Sequence, residues 1–120
     1  MFIRVDLHSG VPVFRQIMEQ VEHLIVAGQL GSGEQITSVR DLSKQVRVNP
    51  MTVSKAYAFL ERDGLLERRR GMGLFVAPRS NKDKEKERQK LLVAVVEELV
   101  TKSVALGSNK DELHALIEHH

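Results

Sequence analysis

Two short stretches of this chain carry side chains suited to chemistry on something outside it. They are Asn49-Pro50-Met51-Thr52-Val53-Ser54-Lys55 and Arg68-Arg69-Arg70-Gly71-Met72-Gly73. The first opens a helix. The Asn49 side-chain oxygen can accept from a free first-turn amide, and Pro50 fits the first helical position. A helix end of this kind presents free amides and a partial positive charge, both attractive to phosphate. Met51, Thr52, Ser54 and Lys55 add a methyl, hydroxyls and a cation, all able to meet base edges or phosphates. In the second stretch Gly71 and Gly73 make a tip without side-chain bulk. Arginines beside such a tip can hold a phosphate backbone while the tip enters a narrow groove. A protein core has no use for three consecutive arginines. The chemistry on offer is recognition of a polyanion, not the making of bonds.

Other chemistries find little support. The histidines are His8, His23, His114, His119 and His120; His114 and His119 are badly spaced for one metal on a helix. No Ser-His-Asp set, phosphate loop or paired carboxylates stand out, so neither an enzyme nor a cofactor is expected. With no cysteine there is no disulfide framework and no zinc finger of the usual kind, and a reducing cytoplasm suits the chain. The apolar run at residues 91–96 is far too short to span a bilayer. The N-terminus lacks the apolar stretch of a signal peptide. The expectation is a soluble cytoplasmic protein with no membrane partner.

The net charge is only +2, but its distribution is uneven. Between residues 40 and 55, Arg40, Lys44, Arg47 and Lys55 face Asp41 alone, and the arginine triplet follows. Residues 79–120 are neutral, with eight Lys and Arg against eight Asp and Glu. The excess is confined to residues 40–55 and 68–70, which include or overlap the two stretches with binding chemistry.

The elements that must position them follow from periodicity. Phe14, Ile17, Met18, Val21, Leu24 and Ile25 predict an amphipathic helix with Pro12 in its first turn and Gly28 at its end. A turn-rich connector follows. A short helix over 39–46 turns Val39, Leu42 and Val46 inward behind Ser38 as N-cap. The helix from Pro50 buries Val53, Ala56, Tyr57 and Leu60 and stops at Gly64. Residues 65–76 predict two strands, anchored by Leu65, Leu66, Leu74 and Val76. Arg68 and Arg69 alternate along the first, so one of them can merely cover the sheet.

Helix, short helix, tight turn, helix and hairpin make a winged helix-turn-helix. The fold class expected is mainly α with a small β-hairpin wing. Here the sequence resembles the GntR family of bacterial transcriptional regulators. The resemblance is carried by "PVFRQI" (12–17), "GQLGSGEQITSVRDLS" (28–43), "VNPMTVSKAY" (48–57) and "LERDGLLERRRGMGLFV" (60–76). It departs at Thr37, where the family usually has proline, and at Ser43, where it usually has alanine. "VNPMTVSKAY" and the short C-terminal part resemble the YtrA-like subgroup most.

The resemblance implies roles. Ser38 and Arg40 would contact DNA from the second helix. Asn49 through Lys55 would supply the recognition-helix contacts, Thr52 and Ser54 foremost, with Met51 helping to set sequence preference. Gly71 would stand where the wing turns into the minor groove, flanked by Arg69 and Arg70. Against this, Arg40 can pair with Asp41 or Glu34 as an ordinary surface charge. The resemblance also implies repression of a nearby operon, often one for a transporter.

Residues 1–78 are thus expected to form the DNA-binding domain and 79–120 a helical dimerisation segment. The polar stretch from residue 79 reads as the solvated start of a long helix, with Ser80 and Asp83 as a capping pair. Leu92, Val95, Val96, Leu99, Val100 and Leu106 then form an apolar stripe. Gly107 ends that helix, and Ser108 and Asp111 cap a last one carrying Leu113, Leu116 and Ile117. Either these residues fold back on their own winged domain or they build a homodimer. The homodimer is favoured, because two recognition helices read a two-fold symmetric operator. A small-molecule effector, should one exist, has to bind between subunits or between the helices and the winged domain, since two helices enclose no pocket. The rival function is a winged-helix module for an acidic protein partner; the polar, basic helix end and the arginine wing favour double-stranded DNA.

Overall fold

A computed structural model describes residues 1–120. Along the chain run α1 (Val13–Val26), α2 (Val39–Val46), α3 (Pro50–Arg62), β1 (Leu66–Arg69), β2 (Gly73–Val76), α4 (Asn81–Ala105) and α5 (Lys110–His119). They fall into two compact units, Met1–Ser80 and Asn81–His120. No helix is long and apolar enough to cross a membrane.

The first unit is a winged helix-turn-helix. Apolar residues at helical spacing drive it together: Ile17, Val21 and Ile25 of α1 and Val53, Ala56, Tyr57 and Leu60 of α3 are buried, with Leu42 of α2 beside them. Each such side chain contributes roughly 1.5–3 kcal/mol on burial. Leu65, Leu66, Leu74 and Val76 join the same core from the hairpin. Tyr57 is buried and its hydroxyl donates to the Thr37 carbonyl at 2.7 Å, so α3 is tied to the segment before α2. Burial pushes that phenol well above its ordinary pKa.

The helix ends follow local chemistry. Ser38 Oγ accepts from the Asp41 amide at 3.1 Å, and Asn49 Oδ1 from the Met51 amide at 2.8 Å. Pro50 is the first residue of α3. Pro12 lies one step further out than expected. Its extended ψ of 142° makes it the N-cap position of α1, and its carbonyl accepts from Arg15 and Gln16.

Two features were not expected. The N-terminal segment is held against α1 by glutamines one turn apart. Gln20 accepts from the Arg4 amide and donates to its carbonyl, and Gln16 does the same for Asp6. A carboxamide carries the same donor and acceptor as a peptide, so each glutamine substitutes for a strand neighbour. Ile3 is thereby carried into the core. The connector at residues 33–36 also pairs with the free edge of β2, through Gly33 to Val76, Val76 to Glu34 and Ile36 to Leu74 at 2.8–3.0 Å. The hairpin itself is antiparallel, with Leu66 opposite Val76 and Arg69 opposite Gly73.

In the second unit α4 runs 25 residues. Its polar start is laced by a Glu85–Arg88 ion pair. Gly107, at φ +80°, closes it, and the Ser108 amide donates to the Ser103 carbonyl at 3.0 Å. The cap of α5 is Asn109, one residue later than the expected Ser108. Asn109 is extended and its Oδ1 accepts from the Glu112 amide at 2.9 Å. Ser108 bonds the Glu112 carboxylate instead. The apolar residues of this unit are mostly uncovered: Leu92, Val95, Val96, Leu99, Leu106, Leu116 and Ile117 are exposed, while Val100 and Leu113 are half-buried.

Candidate nucleic-acid interface

α2, the turn after it and α3 place the first set of expected contacts. Ser38, Arg40, Asn49, Met51, Ser54 and Lys55 are exposed, and Thr52 is half-buried. Two of the polar groups are partly committed to the fold, since Ser38 Oγ and Asn49 Oδ1 cap their helices. Met51 is 79% exposed at the second position of α3. Arg40 pairs with neither Asp41 nor Glu34; its side chain is in no ion pair. Lys55 leans toward α1, its ammonium 4.0 Å from the centre of the Phe14 ring. A cation over a ring face is held by the ring's quadrupole while its remaining donors stay in water. Phe14 in turn stacks on Phe59 at 5.7 Å.

The wing sorts the arginine triplet by strand alternation. Arg68 shares a face with Leu74 and reaches Glu61 of α3 at 3.3 Å. Arg69 points to the other face, lies 4.1 Å over the Phe75 ring and pairs with Glu67 at 3.2 Å. It is therefore the one that covers the sheet. Arg70, at the start of the tip, is exposed and in no ion pair. Gly71 and Gly73 have φ of +76° and +109°, a region side chains other than glycine rarely adopt. Gly73 has a second constraint, because a Cβ there would come within 3.1 Å of Gln35 Nε2. That amide donates to the Met72 carbonyl. Gln35 thus fastens the wing tip to the connector. A cleft of about 200 Å³ lies between wing and helices, lined by Gln35, Ser38, Ser54, Arg68 and Gly73 among others.

Sequence reasoning missed Gln35 and Phe14 as supports of the interface. Gln35 sits in a connector whose Gly and Ser content spoke only of turns. Phe14 counted simply as core, since Lys55 is far from it in sequence and only the packing of α1 on α3 brings them together.

An end of a helix offering polar and apolar contacts, beside a glycine-tipped basic hairpin, is the geometry of a DNA-reading winged helix. Residues 14–76 match the family described as bacterial regulatory proteins, gntR family. The chain belongs to the GntR family. Among GntR relatives, the HTH-type transcriptional repressor YtrA of Bacillus subtilis (strain 168) is 30% identical over 116 residues. That match spans 97% of this chain and 89% of YtrA, so the likeness runs through both units and places the chain with the YtrA-like members. A GntR family transcriptional regulator from Listeria monocytogenes superposes with a TM-score of 0.83 at 26% identity, over 95% of this chain and 99% of that one. The DNA-binding domain of AraR, solved in complex with operator ORX1, superposes with a TM-score of 0.58 at 27% identity, over 64% of this chain and 99% of that one. This GntR protein is a transcriptional regulator with a helix-turn-helix for DNA.

Proposed function

We propose that this GntR protein is a dimeric, sequence-specific repressor acting in the cytoplasm, with α3 in the major groove and the wing at the minor groove. Residues 1–78 bind the DNA and residues 79–120 join two copies. One observation carries the DNA surface. Arg40, Lys44, Arg47, Lys55 and Arg70 have no carboxylate partner, whereas Arg62, Arg68 and Arg69 each have one. Cations left unpaired around one helix end and one hairpin tip are available to phosphates, where charge-assisted hydrogen bonds are strong. YtrA is a transcriptional repressor, and the AraR domain was solved bound to an operator.

The dimer is supported by the apolar residues of α4 and α5. Leu92, Val95, Val96 and Leu99 fall at the i, i+3, i+4, i+7 positions of one face of α4, Leu106 follows just past its end, and all five are exposed in the single chain. A contiguous apolar stripe of this kind is an interaction surface, and a second copy brings an identical one.

Arg40→Ala tests the DNA surface. Arg40 is exposed and unpaired, so its loss should leave the melting temperature nearly unchanged. It should weaken operator binding more than tenfold, since a hydrogen bond to a charged group contributes about 1.5–3 kcal/mol. Unchanged affinity in an electrophoretic titration reduces Arg40 to a surface charge.

A further inference from the structure

Arg47 is the only residue other than glycine with positive φ, at φ +55° and ψ +49°. It ends α2 and begins the turn into α3. This left-handed conformation crowds Cβ against the following carbonyl, and glycine or asparagine are the residues that adopt it freely. The turn itself has no need of arginine. Its requirement is met by the backbone, where the Arg47 and Val48 amides both donate to the Ser43 carbonyl. The side chain gives nothing back to the fold. It is exposed, makes no ion pair or hydrogen bond and lies on no ring. A strained conformation that the fold does not reward points to a use elsewhere.

The surroundings say what that use is. Arg47 is two residues before Asn49, at the end of the short helix that carries Arg40 and Lys44, on the turn that leads into the recognition end. The one carboxylate among residues 40–55 is Asp41, at the other end of α2.

We propose that Arg47 is a phosphate-binding residue of the helix-turn-helix, kept at a strained position for its guanidinium. This rests on the DNA reading above and deepens it, turning one of its unpaired cations into a defined contact whose cost to the fold can be measured. The guanidinium presents a planar fork of donors suited to a phosphate, and such a contact anchors the protein without reading sequence.

The test is a trade-off that a structural role does not produce. Arg47→Gly should raise the melting temperature by about 2 to 6 °C, because the crowding is relieved and only part of that gain is lost to glycine's freedom in the unfolded chain. The same variant should bind DNA roughly tenfold more weakly, on a duplex selected from random DNA by the parent and on a scrambled duplex alike. Its plot of log K against log salt should be flatter by about 0.9 for each Arg47 that meets a phosphate. Arg47→Asn should behave as glycine does, and Arg47→Lys should keep the slope. A glycine variant that binds as tightly as the parent, with the parent's slope, overturns the proposal. A fall in melting temperature also overturns it, since Arg47 would then be holding the fold. A parent that binds neither duplex overturns the DNA reading and this contact with it; a parent that binds beside an indifferent glycine variant overturns the contact alone.

Discussion

Leu99→Asp is expected to leave a folded chain that no longer dimerises. Leu99 is 41% exposed in the single chain and lies midway along the apolar stripe of α4. In a monomer the new carboxylate faces water and costs little. In a seam of two copies, two carboxylates enter an apolar contact, and the effective penalty is several kcal/mol per ion. Sedimentation of the parent at micromolar concentration should give twice the chain mass of 13.6 kDa, and the variant should give 13.6 kDa itself. Linking two DNA-binding units raises avidity by roughly 10²–10⁴, so operator affinity should fall by a factor in that range while each unit keeps its fold. A parent that sediments as a single chain removes the seam from the account.

The second large effect separates wing from helix. Arg69→Ala with Arg70→Ala should flatten the salt dependence by about 3 to 4 units if both arginines of both copies meet phosphate, at about 0.9 per contact. Binding should weaken on operator and random duplex alike, because phosphate contacts carry no sequence information. The single variants divide that effect. Arg70 has no partner to give up, so Arg70→Ala should account for the larger share. Arg69 already covers Phe75 and pairs with Glu67. An exposed pair of this sort contributes about 0–1 kcal/mol and can yield to a phosphate, yet Arg69→Ala should also lower the melting temperature by uncovering the ring. Thr52→Ala should do the opposite of the double variant, narrowing the gap between operator and random DNA with little change in slope. A double variant that keeps the parent's slope means that the wing arginines do not meet phosphate.

The legible parts of the fold were those where one residue type has one cause. Asn49-Pro50 could only start a helix, and α3 begins at Pro50. The stripe from Phe14 to Ile25 could only be a helix face, and Ile17, Val21 and Ile25 are buried. The pairing of the connector at residues 33–36 with β2 was illegible because it uses backbone alone and the composition there speaks of turns. The N-terminal segment was illegible for a related reason, since its partners are the carboxamides of Gln16 and Gln20 rather than a second apolar strand. Phe75 escaped the alternation rule because Arg69 and the connector cover the outer face of the hairpin. Ser108 and Asn109 were both able to cap α5, and only the backbone decides between two adjacent acceptors. In the site, residue types were readable and commitments were not. Nothing in the order of letters says that Lys55 rests on Phe14, that Arg68 reaches Glu61, or that Arg47 takes positive φ where a glycine would sit freely.

Selection of duplexes from random DNA by the purified chain, followed by titration of the selected and a scrambled duplex at several salt concentrations, tests the central claim most directly. Two recognition helices joined through α4 and α5 should enrich a two-fold symmetric site, with half-sites about one helical turn or a multiple of it apart. The selected duplex should bind roughly 10³-fold or more tightly than the scrambled one, and both affinities should fall steeply with salt. No enrichment, or equal and salt-insensitive binding to both duplexes, contradicts a DNA-reading surface at α3 and the wing.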